Sequence, residues 1–295
     1  MNALLILLTI ILFVLQSLSL KLMKTRTLGE KLLSNCFFTL FAFVLTGFIC
    51  LLLPGQKGLG PVTLLCGGLF GLCFAMTILF YLSAISRGPL SYASFYLSAS
   101  MLLPAGAGIL FFREKLSPCL AAALVFFLAA FYCLNASDEH KKGGGKWRLF
   151  CLLTFLCNGS CGILQKTHQY LTGGSDAAGL LFTGFGCAAL CYALCFFAVS
   201  LKARRKEDTA ETTPFSVLRC NLLPVCLLAL SSLGGNLLLT FLSGQMEGSY
   251  LFPLVQGSIV PGVTLCSVLL FREKLPPKGI LGILTGVAGI ILINL

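Results

Sequence analysis

FFREKLSP (Phe111–Pro118) and LFREKLPP (Leu270–Pro277) place the same Arg-Glu-Lys-Leu behind an apolar run twice, with Arg113 and Arg272 159 positions apart. Only 11% of the 295 residues are charged, so a charged tetrapeptide written twice in one context marks a duplication. The copies extend upstream. YLSAISRG (Tyr81–Gly88) matches FLSGQMEG (Phe241–Gly248) at an offset of 160, with one residue lost near Pro89–Ser91. Further back, Thr9 matches Thr154 and Lys21 matches Lys166 at an offset of 145.

Composition sets the solvent. A soluble domain carries roughly a quarter charged residues, and this chain has less than half that share beside 57% hydrophobic residues and 25 Phe. No single soluble core absorbs that much apolar surface, and disorder is excluded by the same composition. Lipid is the expected solvent. The net charge of +11 would suggest nucleic acid in a soluble protein. Here the Lys and Arg fall between apolar segments, so no nucleic-acid partner is expected and topology explains them. The 15 Cys are scattered through apolar stretches without metal-ligand spacing, and read as small packing residues.

A spanning helix needs about 20 mostly apolar residues. Ten such segments are predicted, at 2–20, 34–53, 62–85, 91–112, 119–135, 148–170, 179–200, 221–243, 250–271 and 277–294. The first lacks a basic leader and reads as a membrane helix, not a cleaved signal. The fold expected is all-α integral membrane: residues 1–136 as a first five-helix repeat, 137–147 as a Gly-rich linker, 148–295 as a second repeat. Seventeen Lys and Arg fall on the linker's side of the bilayer and four (Lys57, Arg113, Lys115, Lys166) on the other. That bias predicts a cytoplasmic linker and both termini outside. Five is odd, so the second copy enters inverted. The two Arg-Glu-Lys runs then lie on opposite faces, each an interfacial cap ending the fourth helix of its repeat, with basic heads reaching headgroups.

The repeat, the ten helices and the FREKL ends resemble the drug/metabolite transporter superfamily, and within it the EamA-type ten-helix branch. GILGILTGVAGIILIN (Gly279–Asn294) has the Gly-rich last helix typical of that branch. The resemblance implies an inner-membrane carrier that moves small metabolites, often outward, by alternating access. Independently of it, inverted repeats build many secondary transporters, with the site at the midplane between the repeats.

No HExxH, GxSxG or Walker loop occurs, so no enzyme activity, cofactor or metal is expected. None of the ten carboxylates falls mid-helix, which argues against carboxylate-coupled export of cations and leaves mouth groups such as Glu247 for any coupling. The expected substrate-binding candidates are Asn236, Gln256, Asn158, Tyr81, Tyr96, Ser98 and Ser232. For the amides, interhelical hydrogen bonding and cavity lining both remain open. Lys21 and Lys166 occupy equivalent helix ends and either snorkel to headgroups or bind a substrate anion; Glu247 would pair with one of them or gate a mouth. Pro104, Pro253 and Pro261 break backbone hydrogen bonds within the membrane and mark hinge candidates. Gly279, Gly282, Gly286 and Gly289 form a packing stripe for segment 5 or for a second subunit in a homodimer.

The function expected is a secondary transporter of a small polar or amphipathic, amino-acid-like solute across the cytoplasmic membrane. The alternatives are a carrier of anionic or sugar-linked solutes using Lys21 and Lys166, and a non-transporting receptor or assembly partner. Membrane lipids and a small-molecule substrate are the partners either carrier reading implies.

Overall fold

The structure, a computed structural model, describes residues 2–25, 27–52, 59–85, 87, 90–115, 117–135, 145–204, 214–271 and 277–294. Most of the predicted linker and the second Arg-Glu-Lys run lie outside them. The described elements are all helical: α1 (Asn2–Leu22), α2 (Leu28–Leu52), α3 (Pro61–Ile85), α4 (Leu90–Ala99), α5 (Leu102–Phe111), α6 (Pro118–Asn135), α7 (Gly145–Thr172), α8 (Ala177–Arg204), α9 (Pro214–Ser243), α10 (Gly248–Phe271) and α11 (Pro277–Ile293).

Local chemistry sets the boundaries. Four helices, α3, α6, α9 and α11, begin at Pro, where the missing N–H falls among the first-turn groups that have no intrahelical partner. The Thr27 hydroxyl accepts from Glu30 N–H at the start of α2, and the Ser117 hydroxyl accepts from Leu120 N–H at the start of α6. Gly173 and Gly174 take positive φ, and Gly174 N–H closes on the Gln169 carbonyl at 2.8 Å to end α7.

Seven helices (α1, α2, α3, α7, α8, α9, α10) are long and apolar enough to cross a membrane. Polarity is inside out: α1 exposes Leu4, Leu8, Ile11 and Leu15 while burying Thr9 and Ser19. Such a surface is stable only against lipid, and in lipid each backbone polar group must be satisfied within its own helix. The chain is an all-α membrane protein.

One predicted segment differs. The stretch 91–112 is two helices, broken at Ser100–Met101. Pro104 stands in the first turn of α5, three residues beyond the break, so it continues the chain after a kink that it does not itself occupy. The corresponding α10 runs unbroken through Pro253 and Pro261.

Packing is paired. α1 lies against α9, and α3 against α7. α2 contacts α8 and α9, while α3 contacts α8 and α7. α6 packs on α11, α5 on α10, α1 on α10, and both α4 and α5 on α7. Close approach depends on glycine at several places, two of them beside prolines. A methyl at Gly162 of α7 would meet Pro104, and one at Gly286 of α11 would meet Pro261 and come near Ala130 of α6. Gly286 and Gly289 of the last helix are thus used inside the chain.

Candidate functional site

Three polar residues line a stripe on α7. Asn158, Gln165 and Gln169 recur at seven- and four-residue spacing, with Gly162 between the first two, so all share one face. Asn158 Nδ2 donates to Ser100 Oγ at 2.6 Å and to the Leu97 carbonyl at 3.3 Å. It therefore supplies a donor at the break between α4 and α5. Gln165 Nε2 donates to Thr240 Oγ1 at 3.0 Å and Asn236 Oδ1 at 3.3 Å across to α9. Asn236 Nδ2 in turn donates to the Ser232 carbonyl at 2.8 Å. Gln165, Asn236, Thr240 and Ser232 are all buried.

Of the sequence candidates, Asn236 and Ser232 meet in this network on α9, and Asn158 sits on α7, two turns from Gln165. Gln256 is half-buried on α10, and no hydrogen bond of its side chain appears among the described residues. Ser98 is half-buried just before the break, and its carbonyl accepts from Met101 N–H at 3.4 Å. Tyr81 and Tyr96 are elsewhere. They pack with Trp147, Phe150 and Cys151 at the start of α7, some 20 Å from Gln165 at 1.5 Å of helix per residue. Lys21 ends α1, and its side chain lies outside what is described.

Lys166 corrects an expectation. It is paired inside the protein. Its Nζ lies 3.0 Å from Glu114 Oε1 and donates to the Met246 carbonyl at 2.7 Å. Its partner is Glu114, not Glu247, whose side chain is exposed. Glu114 also accepts from Gly248 N–H at 2.8 Å and Ser249 N–H at 2.7 Å. The carboxylate thus caps the N-terminus of α10, where the helix dipole favours an anion. The turn that aims it is set by Arg113 at φ 55, with Phe112 and Glu114 N–H both donating to the Gly108 carbonyl. The first Arg-Glu-Lys run therefore divides its labour: Arg113 and Lys115 are exposed, as an interfacial cap requires, and Glu114 turns inward. Burial raises the Glu114 pKa, but the two backbone donors and Lys166 outweigh it and hold the carboxyl below its usual value.

A second polar cluster went unmarked in the sequence. Thr63 Oγ1 donates to Asp176 Oδ2 at 2.8 Å and lies 3.1 Å from His168 Nε2, while Gln169 Nε2 lies 3.2 Å from His168 Nδ1. All four residues are buried. Two clefts meet at Asp176. One, of about 230 Å³, runs along Thr63 and Thr172, and the other, of about 360 Å³, along Cys50 and Phe182. The signal available was Asp directly before an apolar helix, after a Gly-Gly-Ser turn. No group of three or more potential metal ligands occurs among the described residues.

No family model matches the chain, and no curated protein matches it. It is similar to a protein of known crystal structure, at 17% identity over 99% of this chain and 95% of the other, with a TM-score of 0.77. At that identity the likeness establishes a shared fold.

Proposed function

We propose that this protein is a secondary transporter that moves a small polar or amphipathic solute across the cytoplasmic membrane. In this reading it has ten spans in two inverted five-helix repeats of the EamA type, with α4 and α5 forming one span between them. The observation that carries the reading is the exchange symmetry of the helix packing. Swapping α1, α2, α3, α4/α5 and α6 for α7, α8, α9, α10 and α11 turns the α1–α9 pair into α7–α3. It turns α2–α9 into α8–α3 and α1–α10 into α7–α4/α5. It returns α2–α8, α5–α10 and α6–α11 to themselves. A carrier built this way changes face by exchanging the conformations of its halves. A broken α4/α5 beside an unbroken α10 is the kind of difference such an exchange would reverse.

The amides of Asn158, which reaches the first repeat, and of Gln165 and Asn236, which meet within the second, supply neutral donors and acceptors, which suits amino-acid-like solutes. The alternative of an anionic or sugar-linked cargo is weakened by Glu114, which already neutralises Lys166. The test is solute counterflow in proteoliposomes over amino acids, amines, organic acids and nucleotide sugars. Exchange of at least one amino acid or amine above empty vesicles is expected. Exchange confined to organic acids or nucleotide sugars would replace this reading with the alternative, and no exchange of any solute would remove it.

A further inference from the structure

We propose that His168, Thr63 and Asp176 form a proton-binding site, and that its occupancy is coupled to the conformational change of the carrier. The coupling rests on the transport reading above; the proton site does not.

The hydrogens can be traced. Thr63 has one hydroxyl hydrogen, and it goes to Asp176 Oδ2. The Thr63 oxygen must therefore accept from His168, which places the imidazole hydrogen on Nε2. That leaves Nδ1 as an acceptor for Gln169 Nε2. Every donor points the same way along the chain, toward the carboxylate. The arrangement leaves one orphan: Gln169 Oε1 is buried without a donor, in a residue only 1% exposed.

Adding a proton to Nδ1 gives that oxygen a donor: the amide of Gln169 turns over, its oxygen accepts from Nδ1–H, and its Nε2 hydrogens take the oxygen's former place facing Gly244. The proton comes from water in the clefts beside Asp176. The charge of the unit goes from −1 to 0. Asp176 is the one charged group that acts on His168 from neighbouring helices among the described residues. α3 brings Thr63 to it, with Cys66 a turn further on, and α9 brings no titratable group. Lys166, on its own helix, is held by Glu114, and Tyr170 packs on Phe112. Cys50 of α2 faces Asp176 across the larger cleft.

The site joins the ends of four helices. Thr63 opens α3, His168 and Gln169 close α7, Asp176 precedes α8, and Gln169 Oε1 faces Gly244 beyond α9. A buried unit of net charge −1 favours water and an open cleft, whereas the neutral unit tolerates closure. Protonation then stabilises the closed face.

The chain has two histidines, so imidazole NMR reads the site directly. In His140→Gln protein labelled at histidine, the remaining resonance is expected to titrate between about pH 5 and 8. Asp176→Asn and Thr63→Val are each expected to displace its midpoint. An imidazole that does not titrate, or whose midpoint ignores both substitutions, overturns the proton site even if transport is found. In proteoliposomes the counterflow rate is expected to change roughly tenfold between about pH 5 and 8, and His168→Gln to flatten that profile. A titrating imidazole beside a pH-independent rate overturns the coupling alone. Absence of counterflow for every solute removes the carrier reading, and with it the coupling, while the NMR result still decides the proton site.

Discussion

Lys166 Nζ and Glu114 Oε1 are 3.0 Å apart with side-chain exposures of 13% and 6%, and the same carboxylate caps α10 through Gly248 and Ser249 N–H. The pair ties the end of α7 to the start of α10 and to the turn after α5. Removing one partner of a buried pair strands the other charge, which costs about 3–5 kcal/mol. Lys166→Met and Glu114→Gln are each expected to lower the melting temperature in detergent markedly. The double variant should lose less than the sum, because neither charge is then left alone. Two single variants that melt like wild type would show that the contact contributes nothing.

The same carboxylate sets an acid limit. Its folded pKa lies below the ordinary value of 4.5, so the native state holds fewer protons there than the unfolded chain. The stability it contributes is complete above about 4.5 and is lost as pH falls through the lowered folded value. Melting profiles across this acid range should decline in wild type and be flatter in Glu114→Gln. Identical slopes in both proteins would assign the acid loss to other groups.

Gly108 provides a geometric test of the cap. A methyl there would run into the Glu114 carboxylate and stand 3.0 Å from Ser249 N, whereas one at Gly106 meets nothing within 4 Å. Both residues lie inside α5, where Ala is favoured over Gly by about 1 kcal/mol. Gly106→Ala is therefore expected to melt at or above the wild-type temperature, and Gly108→Ala well below it. A Gly108→Ala protein that melts with Gly106→Ala would mean that the carboxylate moves aside freely.

The apolar run lengths were enough to place the long helices, because in lipid a run of that length has little choice but to be helical. The break at Ser100 was not legible. The prolines attracted the reading to Pro104, whereas the kink sits where Asn158 reaches across from α7 to Leu97 and Ser100, a contact between residues about sixty positions apart. Asn236 stood out because an amide amid Leu is costly alone. Its partner Gln165 was visible only as one polar residue among several, since nothing local to either says that they meet. Glu114 was misread for a related reason. Three charges in a row look interfacial, and only a positive φ at Arg113 turns the middle one inward.

Asn236 and Gln256 separate packing from ligand binding. Asn236 is 7% exposed and engaged on both ends of its amide, by Gln165 and by Ser232. Gln256 is half-buried on α10 and has no side-chain hydrogen bond among the described residues. Leu is favourable in lipid at both positions. Asn236→Leu removes the hydrogen bonds to Gln165 and Ser232 at about 0.5–1.5 kcal/mol each, so its melting temperature should fall. Gln165 keeps Thr240, which limits the damage. Gln256→Leu gives up no such bond and should melt like wild type. If its amide is free to meet solute, losing one hydrogen bond of about 0.5–1.5 kcal/mol should weaken the apparent affinity in counterflow by roughly threefold to tenfold. A Gln256→Leu protein with wild-type affinity and wild-type melting would take Gln256 out of the site. The amides shared by α7 and α9 would then be the polar groups left for the solute to contact.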